Sequence, residues 1–274
     1  MKKALALALV ALPMSVLAEP ASPTPPPHIT ISKLPNQATM IDEVIVPVPS
    51  EIFGVLDRVG PKPNWVAVQH PITGVVQPTG EQPQIALMLG TVIAEGFIAV
   101  EAEDSAQVKQ IGKSVLNLAT ALGVGGKVKK RAQAITDAAD KKDWVDVRKE
   151  LDGALDDVKK AMMEMSSASL SQLVSLGGWI RGTEALTAVV SNSYTKDGAE
   201  LLHQPVLLEA FEHRLGNLKP RDKKNPIVIE VQKKILEIRP LIGLTEDTDI
   251  SEKSVQEIHG ITSDLVKSIN SKVP

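Results

Sequence analysis

Three ionisable residues of this chain stand where apolar residues would be expected, and they are the first candidates for chemistry. Glu95 lies within IALMLGTVIAEGFIAV (residues 85–100), with Thr91, Val92, Ile98 and Ala99 as helical neighbours, and Arg181 and Glu184 lie within LSQLVSLGGWIRGTEALTAVV (residues 170–190). Three arrangements of these charges are chemically distinct. Arg181 can pair with Glu184 one turn on, leaving Glu95 to reach water at the edge of the fold. It can instead pair with Glu95 across two helices and fix their register, and removing one member of such a pair costs roughly 3–5 kcal/mol. Or a polar pocket opens between the helices, where Arg181 receives a small anionic ligand with Glu95, Glu184, Trp179 and Tyr194 around it.

Other reactive patterns are thinner. Glu209 and His213 are four apart on one helix face, but a metal site needs further ligands, and the di-metal bundle signature of Glu-x-x-His on paired helices is absent. Met162, Met163 and Met165 could favour Cu(I), yet Met162 and Met165 fall on a packing stripe and read as core filling. The other histidines, His28 and His70 in the appendage and His203 and His259 in the helical region, give a thin signal. Gly123-Val-Gly-Gly126-Lys127 is not a phosphate loop, because Val128 follows the lysine and a helix precedes the glycines; it reads as a helix stop followed by the exposed start of the next helix. No Gly-x-Ser-x-Gly elbow and no His-Glu-x-x-His helix occurs. The sequence therefore assigns no catalytic residue, no metal ligand and no cofactor.

The elements that must position the three charges are helices. Residues 85–100 and 170–190 are apolar on nearly every side, as central or membrane-spanning helices are. The first is only 16 residues long and holds Glu95; the second carries Arg181 and Glu184 near its middle, each costing at least ~2.5 kcal/mol in a bilayer. Both read as core helices. Interior glycines cost about 1 kcal/mol each relative to Ala, so Gly90 and Gly96 in one helix and Gly178 and Gly182 in the other imply close backbone approach. Leu89-Gly90-Thr-Val-Ile93 and Leu176-Gly177-Gly-Trp-Ile180 share three positions in five, an internal duplication only if the following helices also superpose.

Amphipathic helices surround this pair. Asp104-Ser-Ala-Gln107 has the form of a capping box, and Val108, Ile111, Val115, Leu118 and Leu122 mark one face before Gly123. Asp143 caps a helix whose stripe runs Trp144, Val147, Leu151, Leu155, Val158, Met162 and Met165. Asn225-Pro226 starts another, with Val228, Val231, Ile235, Ile238 and Leu241 on one side and Pro240 at its end. The last begins near Asp249 or Ser251 and turns Val255, Ile258, Thr262, Leu265 and Ile269 inward. The fold class is all-α: a multi-helix bundle over residues 84–274.

Upstream, Lys2 and Lys3 precede an apolar run and Val16-Leu17-Ala18, the pattern of a secretory signal peptide over residues 1–18, with a mature start at Glu19 and a bacterial periplasmic or external destination. Residues 19–49 carry eight prolines and read as an extended arm ending in Val44-Ile45-Val46-Pro47-Val48, apolar enough to lie along a surface as one strand. Residues 50–83 form an appendage: a short helix from Glu51 to about Val59 capped by Ser50, then WVAVQHPITGVV (residues 65–76), read as a small β-hairpin around a Pro-Ile-Thr-Gly turn.

Composition removes whole function classes. With no Cys in 274 residues there is no disulfide framework, thiol nucleophile or iron–sulfur cluster. A formal charge of -3 provides no basic field for nucleic acid, and seven aromatics provide no stacking platform for single strands. The expectation is an exported, non-enzymatic helical binding or structural module of unknown partner, met through the arm or through the face around the glycine-containing helices. The alternative is a periplasmic sensor of a small ligand or metal, with its pocket between the central helices.

Overall fold

The computed structural model describes residues 39–41 and 44–46 as backbone, and residues 63–243 and 249–271 in full. The signal peptide, nearly all of the proline-rich arm and the helix expected over Glu51–Val59 lie outside the described residues. Two three-residue strands, β1 (Thr39–Ile41) and β2 (Val44–Val46), pair antiparallel with Met40 opposite Ile45. Among the described residues, all regular structure that follows is helical.

Four helix-to-helix turns share one design, which produces an up-and-down run from α2 to α6. Helices α2 (Gln82–Glu101), α3 (Ser105–Ala121), α4 (Gly125–Asp140), α5 (Trp144–Glu164) and α6 (Ala168–Asn192) are joined by turns in which one residue takes a left-handed backbone: Glu103, Gly123, Lys142 and Ser166, with φ of 56°, 83°, 57° and 55°. The next residue donates its N–H back over the turn: Asp104 to Ala99, Val124 to Ala119, Asp143 to Ala138 and Ser167 to Met162, at 2.8–3.0 Å. This is the Schellman arrangement that satisfies the last carbonyls of a helix. The donor residue is at the same time the N-cap of the helix that follows. Asp104 accepts from Ala106 N and Gln107 N, and Asp143 accepts from Asp146 N, so two of the four caps bond through side chains.

Because the run alternates in direction, α6 returns beside α2 in the same sense. Leu87 meets Gly177 near one end of the crossing and Glu95 meets Arg181 further along both helices. This is the most extensive helix contact in the molecule. A Cβ on Gly90 would overlap Val174 O and Gly178 N, and one on Gly177 would overlap Leu87 O, so the two backbones touch at these glycines. The other expected packing glycines have different surroundings. Gly96 faces the side chains of Leu151 and Ile111, Gly178 has Gly90 O at an ordinary 3.6 Å, and Gly182 has nothing within 4 Å of where a Cβ would stand. The internal repeat does not extend past this crossing: α3, with 17 residues, follows α2, whereas the five-residue α7 (Lys196–Glu200) follows α6.

The remaining helices close the bundle. These are α8 (Pro205–Gly216), α9 (Pro220–Lys223), α10 (Pro226–Ile238, capped by Asn225 and followed by a 3-10 turn over Arg239–Leu241) and α11 (Glu252–Asn270, capped by Ser251). Val255, Ile258, Thr262, Leu265 and Ile269 of α11 are all fully buried, and the helix lies against α6 and α2. Helix α2 is long and apolar enough to cross a membrane, and it is enclosed by the other helices throughout that length. On α5, Val147, Leu151, Val158 and Met162 are buried, but the helix ends at Glu164 and leaves Met165 half exposed rather than on the stripe.

The hairpin expected over residues 65–76 does not form. Trp65–Val68 is a helical turn, α1, with Asn64 accepting from Ala67 N at 3.3 Å and with Trp65 and Val68 buried on one side. The β-branched residues do not make a strand here, because Trp65 and Val68, one helical turn apart, bury together against the bundle. Beyond α1, Pro71, the left-handed Gly74 (φ 85°) and Pro78 keep the chain extended but unable to form a ladder. Residues 69–81 run over the bundle as a strap.

Candidate functional site

The three ionisable residues of the central helices converge on one point. Arg181 Nε and Nη2 both reach Glu95 Oε2, at 2.8 and 2.7 Å, and Arg181 Nη1 lies 3.4 Å from Glu184 Oε2. Arg181, Glu184 and Glu95 are 1%, 2% and 4% exposed. The pair therefore crosses from α2 to α6 close to the glycine contact and also collects the intrahelical partner. Arg181 Nη1 and Glu184 Oε2 are close enough to attract but misaligned, and both are buried without a hydrogen-bond partner.

A feature without a sequence signal is the use this cluster makes of the strap. Arg181 Nη2 donates to Val68 O at 2.7 Å, and His70 N donates to Glu95 Oε1 at 2.8 Å. The ion pair thus offers a donor and an acceptor to one extended segment, as a neighbouring strand would. Helix α3 continues the grip: Gln107 Oε1 accepts from Ile72 N at 2.8 Å, Ser114 Oγ accepts from Val76 N at 3.1 Å, and Asn117 Nδ2 donates to Val76 O at 2.9 Å. Residues 107, 114 and 117 share a helix face. Gln107, which the sequence places in a capping box, spends its side-chain oxygen on the strap; the cap rests on Asp104 alone. Buried backbone groups of an irregular segment must find partners, and here they find side chains.

The other residues expected at this site are elsewhere. Trp179 is two positions from Arg181, on the opposite side of α6, where Nε1 donates to Gln204 Oε1 at 3.0 Å and the ring meets Phe211 at 5.6 Å. Tyr194 lies beyond α6 and donates to Ile250 O at 2.8 Å. His70 is the residue that joins instead: its ring is half exposed, with Nε2 3.5 Å from Glu184 Oε1. His259 of α11 approaches the same turn of α6, with Nδ1 3.3 Å from Glu184 O and 3.2 Å from Thr187 Oγ1. Among the described residues no group of three His, Asp or Glu side chains could hold a metal ion, and His213 contacts Asn217.

Above the cluster a cleft of about 390 Å³ opens between the strap and helices α2 and α11. Glu95 and Arg181 form part of its floor, Ile72, Val76, Val92 and Val266 its aliphatic walls, and Lys267 and Asn270 its rim. A larger depression of about 610 Å³, between the start of α2, the start of α10 and the end of α11, shares none of these residues.

These features define an all-α bundle with a buried charge cluster that clamps an extended strap. Compared with family models, with curated proteins and with solved structures, the chain matches none of them.

Proposed function

We propose that this chain is an exported, non-enzymatic helical module whose bundle acts as a rigid anchor for its N-terminal arm, and that the arm engages a protein partner. The observation that carries this reading is the clamp on the strap: five hydrogen bonds from Arg181, Glu95, Gln107, Ser114 and Asn117 hold the backbone between Val68 and Val76, where the chain enters the bundle. The glycine-containing helices are enclosed, which supports assigning the partner to the arm on this reading. Native mass spectrometry of the exported mature chain tests the reading. Bare protein, monomeric or symmetric, with Glu19 as its first residue is expected; a retained small-molecule mass would overturn it.

A second reading is favoured by one observation, the cleft over Glu95 and Arg181. Its volume lies at the small end of the usual range for ligand sites, about 300–1,000 Å³. On this reading the exported module senses a small ligand.

A further inference from the structure

The charge cluster beneath the cleft, of which Glu95 and Arg181 reach its floor and Glu184 lies behind, is unbalanced. Glu95 and Glu184 stand against one guanidinium, so at formal charges the buried cluster is −1. Charge buried without compensation is costly, and such clusters are completed by a partner or counter-ion. Neither neighbouring base closes the count. His70 has its ring half exposed at 3.5 Å from Glu184, and Lys267 at the rim is 73% exposed and faces Asp264 at 3.7 Å, so neither is a buried partner of the cluster.

We infer that the cleft takes a primary alkylammonium ion, a compact cationic head on a short aliphatic tail; the inference rests on the ligand reading of the cleft. The head has acceptors to meet. Glu95 Oε1 has so far accepted only the His70 N–H, and a carboxylate oxygen accepts two bonds. Asn270 Oδ1, 3.3 Å from Thr91 Oγ1, adds a neutral acceptor at the other side. The tail lies along Val92, Val266 and Ile72. An anion fits the same space poorly, because Arg181 Nε and Nη2 are directed at Glu95 and Val68 O, and an anion at the remaining donor, Nη1, would stand beside both carboxylates.

Calorimetric titration of the mature chain with n-butylammonium, and with butyrate as its counterpart of opposite charge, tests the sign. Saturable n-butylammonium binding at least ~10-fold tighter than butyrate is expected. Two exposed positions allow variants that leave the core alone. Thr73→Trp places a ring in the cleft mouth and weakens the amine ~10-fold or more, whereas Lys267→Glu tightens it ~2- to 5-fold at low salt, an effect that fades as salt rises. Butyrate binding as tightly as the amine, and lost in Thr73→Trp, would overturn the cationic assignment and leave the ligand cleft standing. No binding of either probe, or binding indifferent to Thr73→Trp, would remove both.

Discussion

Arg181 and Lys159 are both cations removed from water, and the chain treats them in opposite ways. Arg181 sits at the α2–α6 crossing with two carboxylates and a backbone carbonyl within 3.4 Å. Lys159, on α5, is 5% exposed, and burial pushes its ammonium down to about 8; Asp156 pulls it up by less, and Arg214 adds to the depression. The difference is one of preorganised acceptors. A planar guanidinium can face Glu95, Glu184 and Val68 O at once, whereas an ammonium is a point charge that loses its hydration when its surroundings supply no such fork. One buried cation is therefore expected to hold the fold together and the other to strain it.

Removing Arg181 should give the largest effect. Arg181→Met leaves Glu95 and Glu184 buried together and unhooks Val68 O, with an expected loss of about 3–5 kcal/mol in urea unfolding. A loss below ~1 kcal/mol is what an exposed intrahelical pair would give, and it would end the comparison at once. The strap should respond with the core: in native-state hydrogen exchange the His70 amide should lose its protection in Arg181→Met, a change that a purely helix-packing role would not confine to that segment.

The glycine crossing is the next largest. Gly90→Ala drives a methyl into Val174 O and should cost about 1–3 kcal/mol, because a backbone carbonyl cannot step aside as a side-chain end can. Gly182→Ala is the control within the same helix pair. With nothing near its missing Cβ, it should be neutral or gain up to about 1 kcal/mol from helix propensity. Equal effects from both substitutions would mean that backbone contact does not set the α2–α6 distance.

Lys159 provides a smaller effect of opposite sign. A fall from 10.5 to about 8 means that the native state holds the proton more weakly than the unfolded chain, a cost of up to about 3 kcal/mol at neutral pH. Between those two values the unfolded chain binds more protons than the native one, so stability rises with pH across that window. Lys159→Met should thus stabilise by about 1–2 kcal/mol at pH 7, allowing for the packing that the long stem already provides. The advantage should shrink as the pH approaches 10.5. An advantage that stays constant with pH would indicate packing rather than charge.

What the sequence made legible follows the same division between regular and irregular chain. The core faces of α3, α10 and α11 were readable because their apolar residues repeat at helical spacing, and Asp104, Asp143, Asn225 and Ser251 announce the helix starts by side-chain chemistry. A polar residue forced into an apolar helix is equally visible, which is how Glu95, Arg181 and Glu184 could be singled out together. Trp179 and Tyr194 were grouped with them by proximity in sequence alone, and two positions on a helix is almost half a turn, enough to send Trp179 to Gln204 and Phe211 instead. The strap gave no signal, since its hydrogen bonds join residues 25 to 113 positions apart and use the backbone, whose donors are the same whatever the side chain. Lys159 was hidden for a related reason: a lysine on an amphipathic helix reads as solvated until the helix packed beyond it is known.

The smallest expected effect belongs to the turns, and it separates the one turn that the sequence announced from three that it did not. Gly123 is a conventional stop, while Glu103, Lys142 and Ser166 hold the same left-handed geometry with a Cβ that opposes it. Lys142 is exposed and makes its turn hydrogen bond through the backbone, from its N–H to Ala139 O at 3.1 Å, so its side chain can be removed without breaking the motif. Relief of the αL penalty, about 1–2 kcal/mol, is partly offset by the extra freedom that glycine gives the unfolded chain, about 0.5–1 kcal/mol. Lys142→Gly should therefore raise the urea midpoint by the equivalent of about 0.5–1 kcal/mol, while Lys142→Val, whose branched Cβ tolerates the conformation least, should lower it. If both substitutions moved the midpoint the same way, the turn would be held by the Lys142 side chain rather than by the backbone bonds that all four turns share.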